Sequence, residues 1–113
     1  MYEPKVDIYT LLKDITGVET LQRKPKAFTT LPAITFFVLN NNTNKLLDNT
    51  IVTQNVVVQI DIWADKSTEC VTTLKTVEGL MRNNYFTLRF SQDFDDPSGL
   101  YRITTRFEKL KEV

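Results

Sequence analysis

The sequence contains no histidine, which removes Ser-His-Asp and Cys-His catalysis, imidazole general bases and histidine metal ligands together. Cysteine is nearly absent as well. The lone Cys70 has no internal disulfide partner, whereas secreted domains of this size often carry several bridges, so a reducing cytosol is the expected compartment. Glycine is sparse and scattered at Gly17, Gly79 and Gly99, and no Gly-rich phosphate loop can be assembled from such spacing. No window approaches the ~18 consecutive apolar residues of a membrane span. The start, Met1-Tyr2-Glu3-Pro4-Lys5, lacks a basic segment followed by an apolar run. Neither export nor membrane insertion is expected.

An excess of either charge is missing too. Fourteen basic residues face fourteen acidic ones, and the signs stay mixed along the chain, with no basic cluster. Binding nucleic acid without sequence preference draws mainly on Lys and Arg neutralising phosphates, so a protein surface is the expected partner instead. What is present is ordinary for a globular protein: 42% hydrophobic and 25% charged residues in a chain of 113. One domain over residues 1–113 buries enough surface to fold with a single core.

Periodicity gives an order of helix, strand, strand, helix, strand, strand. Ile8, Leu11, Leu12 and Ile15 recur at helical spacing between Pro4 and Thr16, and Gly17 stops that helix. Val18 to Leu31, with Pro25 and the Arg23-Lys24 pair, reads as a loop crossing the domain. Ala33 to Leu39 is β-branched and aromatic, the signature of a strand. Asn40-Asn41-Asn42-Thr43-Asn44-Lys45 is the most turn-prone window and reads as a long polar connection ending near Asn49. Thr50 to Ala64 is the strongest strand, with Val56, Val58, Ile60 and Ile62 on a core face and Val57, Gln59, Asp61 and Trp63 on a half-wet one.

Asp65 and Ser67 are both credible caps for a second helix, whose apolar stripe is Cys70, Val71, Leu74, Val77, Leu80 and Met81. Glu78 and Arg82 stand four apart on its wet side. Tyr85 to Phe94 and Leu100 to Phe107 alternate as strands around the turn Asp95-Asp96-Pro97-Ser98-Gly99. The expected class is α+β: one mostly antiparallel sheet of about four strands with two helices packed on one face.

Chemistry is harder to find. Cys70 falls on the buried stripe and reads as a core thiol. Asp93, Asp95 and Asp96 do not match a calcium loop, because Pro97 occupies the fifth position and Thr104 stands where a bidentate Glu is needed. Asp61 and Asp65 are separated by ~13 Å in an extended strand, too far for paired glycosidase carboxylates. Asn41-Asn42-Thr43 matches a glycosylation acceptor only formally. No catalytic, cofactor or metal residues are assigned. Asp61 remains notable, since a charge in a strand centre belongs on a wet face or at an interface.

Most of the chain resembles tail completion proteins of long-tailed bacteriophages and prophages. The resemblance runs from Val6 onward and is carried by Pro32-Ala-Ile-Thr-Phe-Phe-Val before the Asn-rich stretch and by Val58-Gln-Ile-Asp61-Ile-Trp63-Ala-Asp65. The helix through Leu74, Val77, Leu80 and Met81, then Phe94-Asp95-Asp96, Leu100-Tyr101-Arg102 and Arg106-Phe107 continue it. It implies a non-enzymatic virion assembly subunit that self-associates into a ring, commonly six-fold, caps the tail tube and joins it to the head. The implied partners are tail-tube and head-connector proteins, and the location is the virion tail, assembled in the bacterial host cytoplasm. Asn41, Asn42, Asn44, Lys45, Asp61, Trp63, Asp95 and Asp96 are the candidate interface residues. Two rival classes remain: an RRM-like nucleic-acid-binding module, and a carboxylate enzyme built on Asp61, which would need a deep pocket around Trp63.

Overall fold

The computed structural model describes residues 4–15, 17–22, 28, 30–45, 51–97 and 99–112, with side chains omitted at 41–45, 51–52 and 111–112. Its elements run α1 (Pro4–Leu12), β1 (Glu19–Leu21), β2 (Ala33–Lys45), β3 (Ile51–Ala64), α2 (Ser67–Asn83), β4 (Thr87–Asp95) and β5 (Tyr101–Glu112). The strands form one sheet in the order β1-β2-β3-β5-β4. Every pairing is antiparallel except β1 with β2. The class is α+β, as the periodicity predicts.

Pairing fixes which side chains share a face. Ile34 and Phe36 of β2 stand opposite Ile62 and Ile60 of β3, which in turn stand opposite Ile103 and Thr105 of β5. These residues, with Val56, Val58, Ala64 and Phe107, make the sheet side of the core. Ile8 and Leu12 of α1 and Cys70, Val77 and Met81 of α2 close over it. Both helices therefore cover the same face. Thr105 lies in this layer without loss because its Oγ1 donates a 2.8 Å hydrogen bond to the Ile60 carbonyl, satisfying a buried hydroxyl.

Several expectations are corrected. Among the described residues the sheet has five strands, because the expected loop after Gly17 contains β1, held parallel to β2 through Glu19↔Ala33 and Leu21↔Thr35. Three residues are too few for periodicity to reveal a strand. The Asn-rich window is not a connection. Asn40 to Lys45 continue β2, pairing with β3 as far as Lys45↔Ile51. A cross-strand partner outweighs the turn preference of asparagine. The remaining connection, 46–50, lies outside the described residues.

The helix ends also differ. α1 stops at Leu12 rather than Thr16, although Ile15 still packs against the core. The N-cap of α2 is Lys66, with no side-chain cap hydrogen bond, so neither Asp65 nor Ser67 fills that role. Val71 is largely exposed and Thr73 takes the buried place instead. On the wet side, Arg82 and Glu78 pair at 3.4 Å. β5 runs on to Glu112, five residues past the expected end at Phe107. With β2 and β3 this gives the molecule its long dimension of 52 Å, against 26 and 22 Å across.

Candidate functional site

The face of the sheet turned away from the helices carries the polar and aromatic side chains. On β3 it presents Val57, Gln59, Asp61 and Trp63. Opposite them on β5 stand Glu108, Arg106, Thr104 and Arg102. On β4, a bulge between Leu88 and Phe90 reverses the alternation, so Phe90 and Phe94 fall on this open face instead of the helix-covered one. Alternation alone places Phe90 beside Phe86 and Leu88; one inserted residue changes every side chain beyond it.

Two ladders result. The Arg102 guanidinium lies 4.7 Å from the Phe94 ring centre and 5.3 Å from that of Trp63. Trp63 is further covered by Phe28, with ring centres 5.3 Å apart. Its Nε1 donates to Thr35 Oγ1 at 2.9 Å. In the second ladder Arg106 sits 5.1 Å over Phe90 and donates from Nε to Gln59 Oε1 at 3.3 Å. Gln59 Nε2 in turn approaches Asp61 Oδ1 and Oδ2 at 3.4 and 3.5 Å. The amide thus relays between a guanidinium and a carboxylate. Arginine is suited to this arrangement, because its planar head stacks on rings while its N–H groups remain directed.

Asp61 is 7% exposed and Trp63 2% exposed, so the face expected to be half-wet is closed at this point. Trp63 lies beneath Phe28 and Arg102 rather than on an open hollow. Asn41, Asn42, Asn44 and Lys45 occupy β2 opposite Val56, Asn55, Thr53 and Ile51; their side chains are outside those described. Asp95 is exposed and Asp96 half-buried at the β4–β5 turn, where the Gly99 amide donates to the Asp96 carbonyl at 2.9 Å. The strand order separates the two candidate sets. β2 and β4 are three strand spacings apart, about 14 Å, so the asparagine strand and the aspartate turn form no common site within one copy.

The edges of the sheet are features that periodicity does not locate. β1 pairs only with Ala33–Thr35, and among the described residues no strand pairs with β2 beyond Thr35 on that side. The outer side of β4 is likewise without a strand among the described residues. Beside the β2 edge, Phe37 and Leu39 are 43% and 44% exposed. An edge without a partner strand that also exposes apolar side chains is what native sheets usually blunt or use.

The Cys70 thiol is 1% exposed, within reach of the Ile62 and Tyr101 carbonyls at 3.6 and 3.4 Å. Burial, then the carboxylates of Asp93 and Glu69, push its pKa up to about 11. Among the described residues no cluster of three or more acidic or cysteine side chains is placed to hold a metal ion. No helix among them is long and apolar enough to cross a membrane. Fold and surface together define an α+β domain whose sheet is covered on one side by the helices and, among the described residues, has no further strand on β4 or on β2 beyond Thr35. Comparison with protein-family models and with curated proteins finds no match to this sequence.

Proposed function

We propose that this chain is a structural assembly subunit that associates with copies of itself into a ring, caps a phage tail tube and joins it to the head. The observation that carries this reading is the pair of edges with no strand partner among the described residues, β2 beyond Thr35 and β4, on opposite sides of one sheet. A subunit with two different open edges can be extended on both sides by its neighbours, the head-to-tail geometry that closes into a ring when the rotation between copies allows it. The resemblance to tail completion proteins supplies the tube and the head connector as partners. In this reading the long β2–β3–β5 arm, with Leu110 64% exposed near its end, reaches toward the tube.

The RRM-like alternative has less support. Single-stranded nucleic acid needs free aromatic faces on which bases can stack. Here Phe94 and Trp63 are stacked by Arg102 and Phe90 by Arg106, while the exposed Phe37 lies on the same face without such a cover among the described residues. The element order also differs from the β-α-β-β-α-β series of that fold class.

The experiment is a mass measurement by light scattering of the purified protein, alone and with tail-tube subunits, followed by cryo-microscopy of the mixture. A ring seated on the tube end is the expected result. A protein that stays monomeric in both conditions and leaves tube ends bare removes the reading.

A further inference from the structure

Resting on the ring reading above, we propose that the ring closes by strand addition: β4 of one copy pairs antiparallel with the free edge of β2 in the next, and β1 is the stop that sets the register.

Length is the first argument. β2 has 13 residues and β1 occupies Ala33–Thr35, leaving Phe36–Lys45 without a strand on that side among the described residues, while β4 offers Thr87–Asp95, 9 residues. At ~3.3 Å per residue both edges are ~30 Å long. Polarity is the second. Successive antiparallel pairings of β2 with β3, β3 with β5 and β5 with β4 make β4 run opposite to β2. Copies related by rotation about an axis parallel to the strands therefore bring β4 against β2 antiparallel, the more stable pairing.

Register follows from β1. A neighbouring β4 running down the β2 edge meets β1 after Phe36, so its last residue, Asp95, stands opposite Phe36. That alignment places Phe94 of the next copy opposite Phe37. Both side chains belong to the open face: Phe37 stands opposite Gln59 and Phe94 opposite Arg102. The faces of the two copies thus match. The exposed Phe37 ring gains an aromatic cross-strand partner, a favourable pairing.

Area decides between ring and dimer. A strip ~30 Å long and ~10 Å deep covers ~300 Å² per copy, so one pairing buries ~600 Å², short of the ~1,000 Å² expected of a specific interface. A two-fold pairing of β2 with β2 makes only one such contact. In a closed head-to-tail ring every copy makes two, so closure is cooperative and free dimers are scarce.

The test places cysteines at Phe37 and Phe94 in a Cys70→Ala background and treats the folded protein with a short bis-maleimide. The expected product is a ladder of covalent multimers ending at the ring mass, with peptide mass spectrometry identifying the 37–94 linkage. A ring seen by light scattering without that linkage overturns the strand pairing and leaves the ring reading standing. Linkage in the Phe37→Cys single variant alone shows β2–β2 pairing and also overturns it. No multimer under any condition, with tail-tube subunits included, overturns both. Should Phe94→Cys not fold, Phe37→Asp provides the second variant. Its position is 43% exposed, so the monomer melts as the parent does, while a charge facing Phe94 weakens association about 100-fold. Unchanged association in that variant refutes the pairing.

Discussion

The indole Nε1 of Trp63 and the hydroxyl Oγ1 of Thr35 meet at 2.9 Å across the β2–β3 pairing, in a region where the two residues are 2% and 5% exposed. Thr35 is thereby the buried acceptor that lets an indole sit under Phe28 and Arg102. Thr35→Val keeps the shape and β preference but removes that acceptor, leaving a buried N–H without it. A loss of about 1–3 kcal/mol is expected, read as a lower urea midpoint with an unchanged slope. Thr35→Ser, which keeps the oxygen, recovers most of it. Equal losses in both variants would show that the methyl group, not the hydrogen bond, is what matters.

Tyr85 offers a change in the opposite direction. After α2, the Tyr85 amide donates to the Arg82 carbonyl at 3.0 Å and the Phe86 amide to the Met81 carbonyl at 3.0 Å, the two bonds of a Schellman ending. Tyr85 holds the left-handed position, with φ of 69°, although glycine is the residue that adopts it without cost. Its side chain is 83% exposed and contributes little packing. Tyr85→Gly therefore raises stability by about 1 kcal/mol, a gain of several degrees in Tm for a domain of this size. A lower Tm would show that the exposed ring has a packing role.

Much of this architecture is legible in the sequence, and the failures share a cause. Val56, Val58, Ile60 and Ile62 announce the core face of β3 because apolar residues at every second position over a long run fit a strand with one buried face and no helix. Ile8, Leu12, Val77 and Met81 do the same for the helices. The asparagines of β2 mislead because their preference is local, whereas the pairing partner that decides their conformation lies far along the chain. β1 is too short to alternate, and the bulge at Arg89 turns Phe90 over without any change in composition. Of the candidate interface, the sequence singles out Asp61 and Trp63 as unusual, but their covering by Gln59, Arg102 and Phe28 depends on tertiary placement. Arg102 and Arg106, four apart on one strand, carry a readable sign: alternation puts both on one face, opposite Ile103 and Thr105.

Cys70 gives a pH dependence with a definite sign. Its folded pKa of about 11 lies above the ordinary value of 9.0, so the native state holds the thiol proton more tightly than the unfolded chain. The resulting stabilisation is fully present below pH 9, falls as pH rises through the interval, and is gone above pH 11. Alkaline unfolding of the parent should accordingly be steeper over that interval than that of Cys70→Ala, which isolates the thiol from tyrosine and lysine titration. The same burial makes the native thiol slow to react with iodoacetamide at pH ~8, and denaturant releases it. Rapid modification of the native protein would contradict this placement.

Arg102 tests whether the open-face ladders contribute to the fold. Its guanidinium is stacked between Phe94 and Trp63, while its Nε is buried with no hydrogen-bond partner among the described residues, a cost that stacking must offset. Lysine retains the charge and most of the aliphatic stem but has no planar head to lie between two rings. Arg102→Lys should lose about 1 kcal/mol, and Arg102→Ala somewhat more because the stem packing goes as well. A double-mutant cycle with Phe94→Leu separates the terms: coupling between positions 94 and 102 of about 0.5–1 kcal/mol is expected. Zero coupling would mean that the stack is geometry without energy, and that the buried Nε is a net cost carried at this position for another reason.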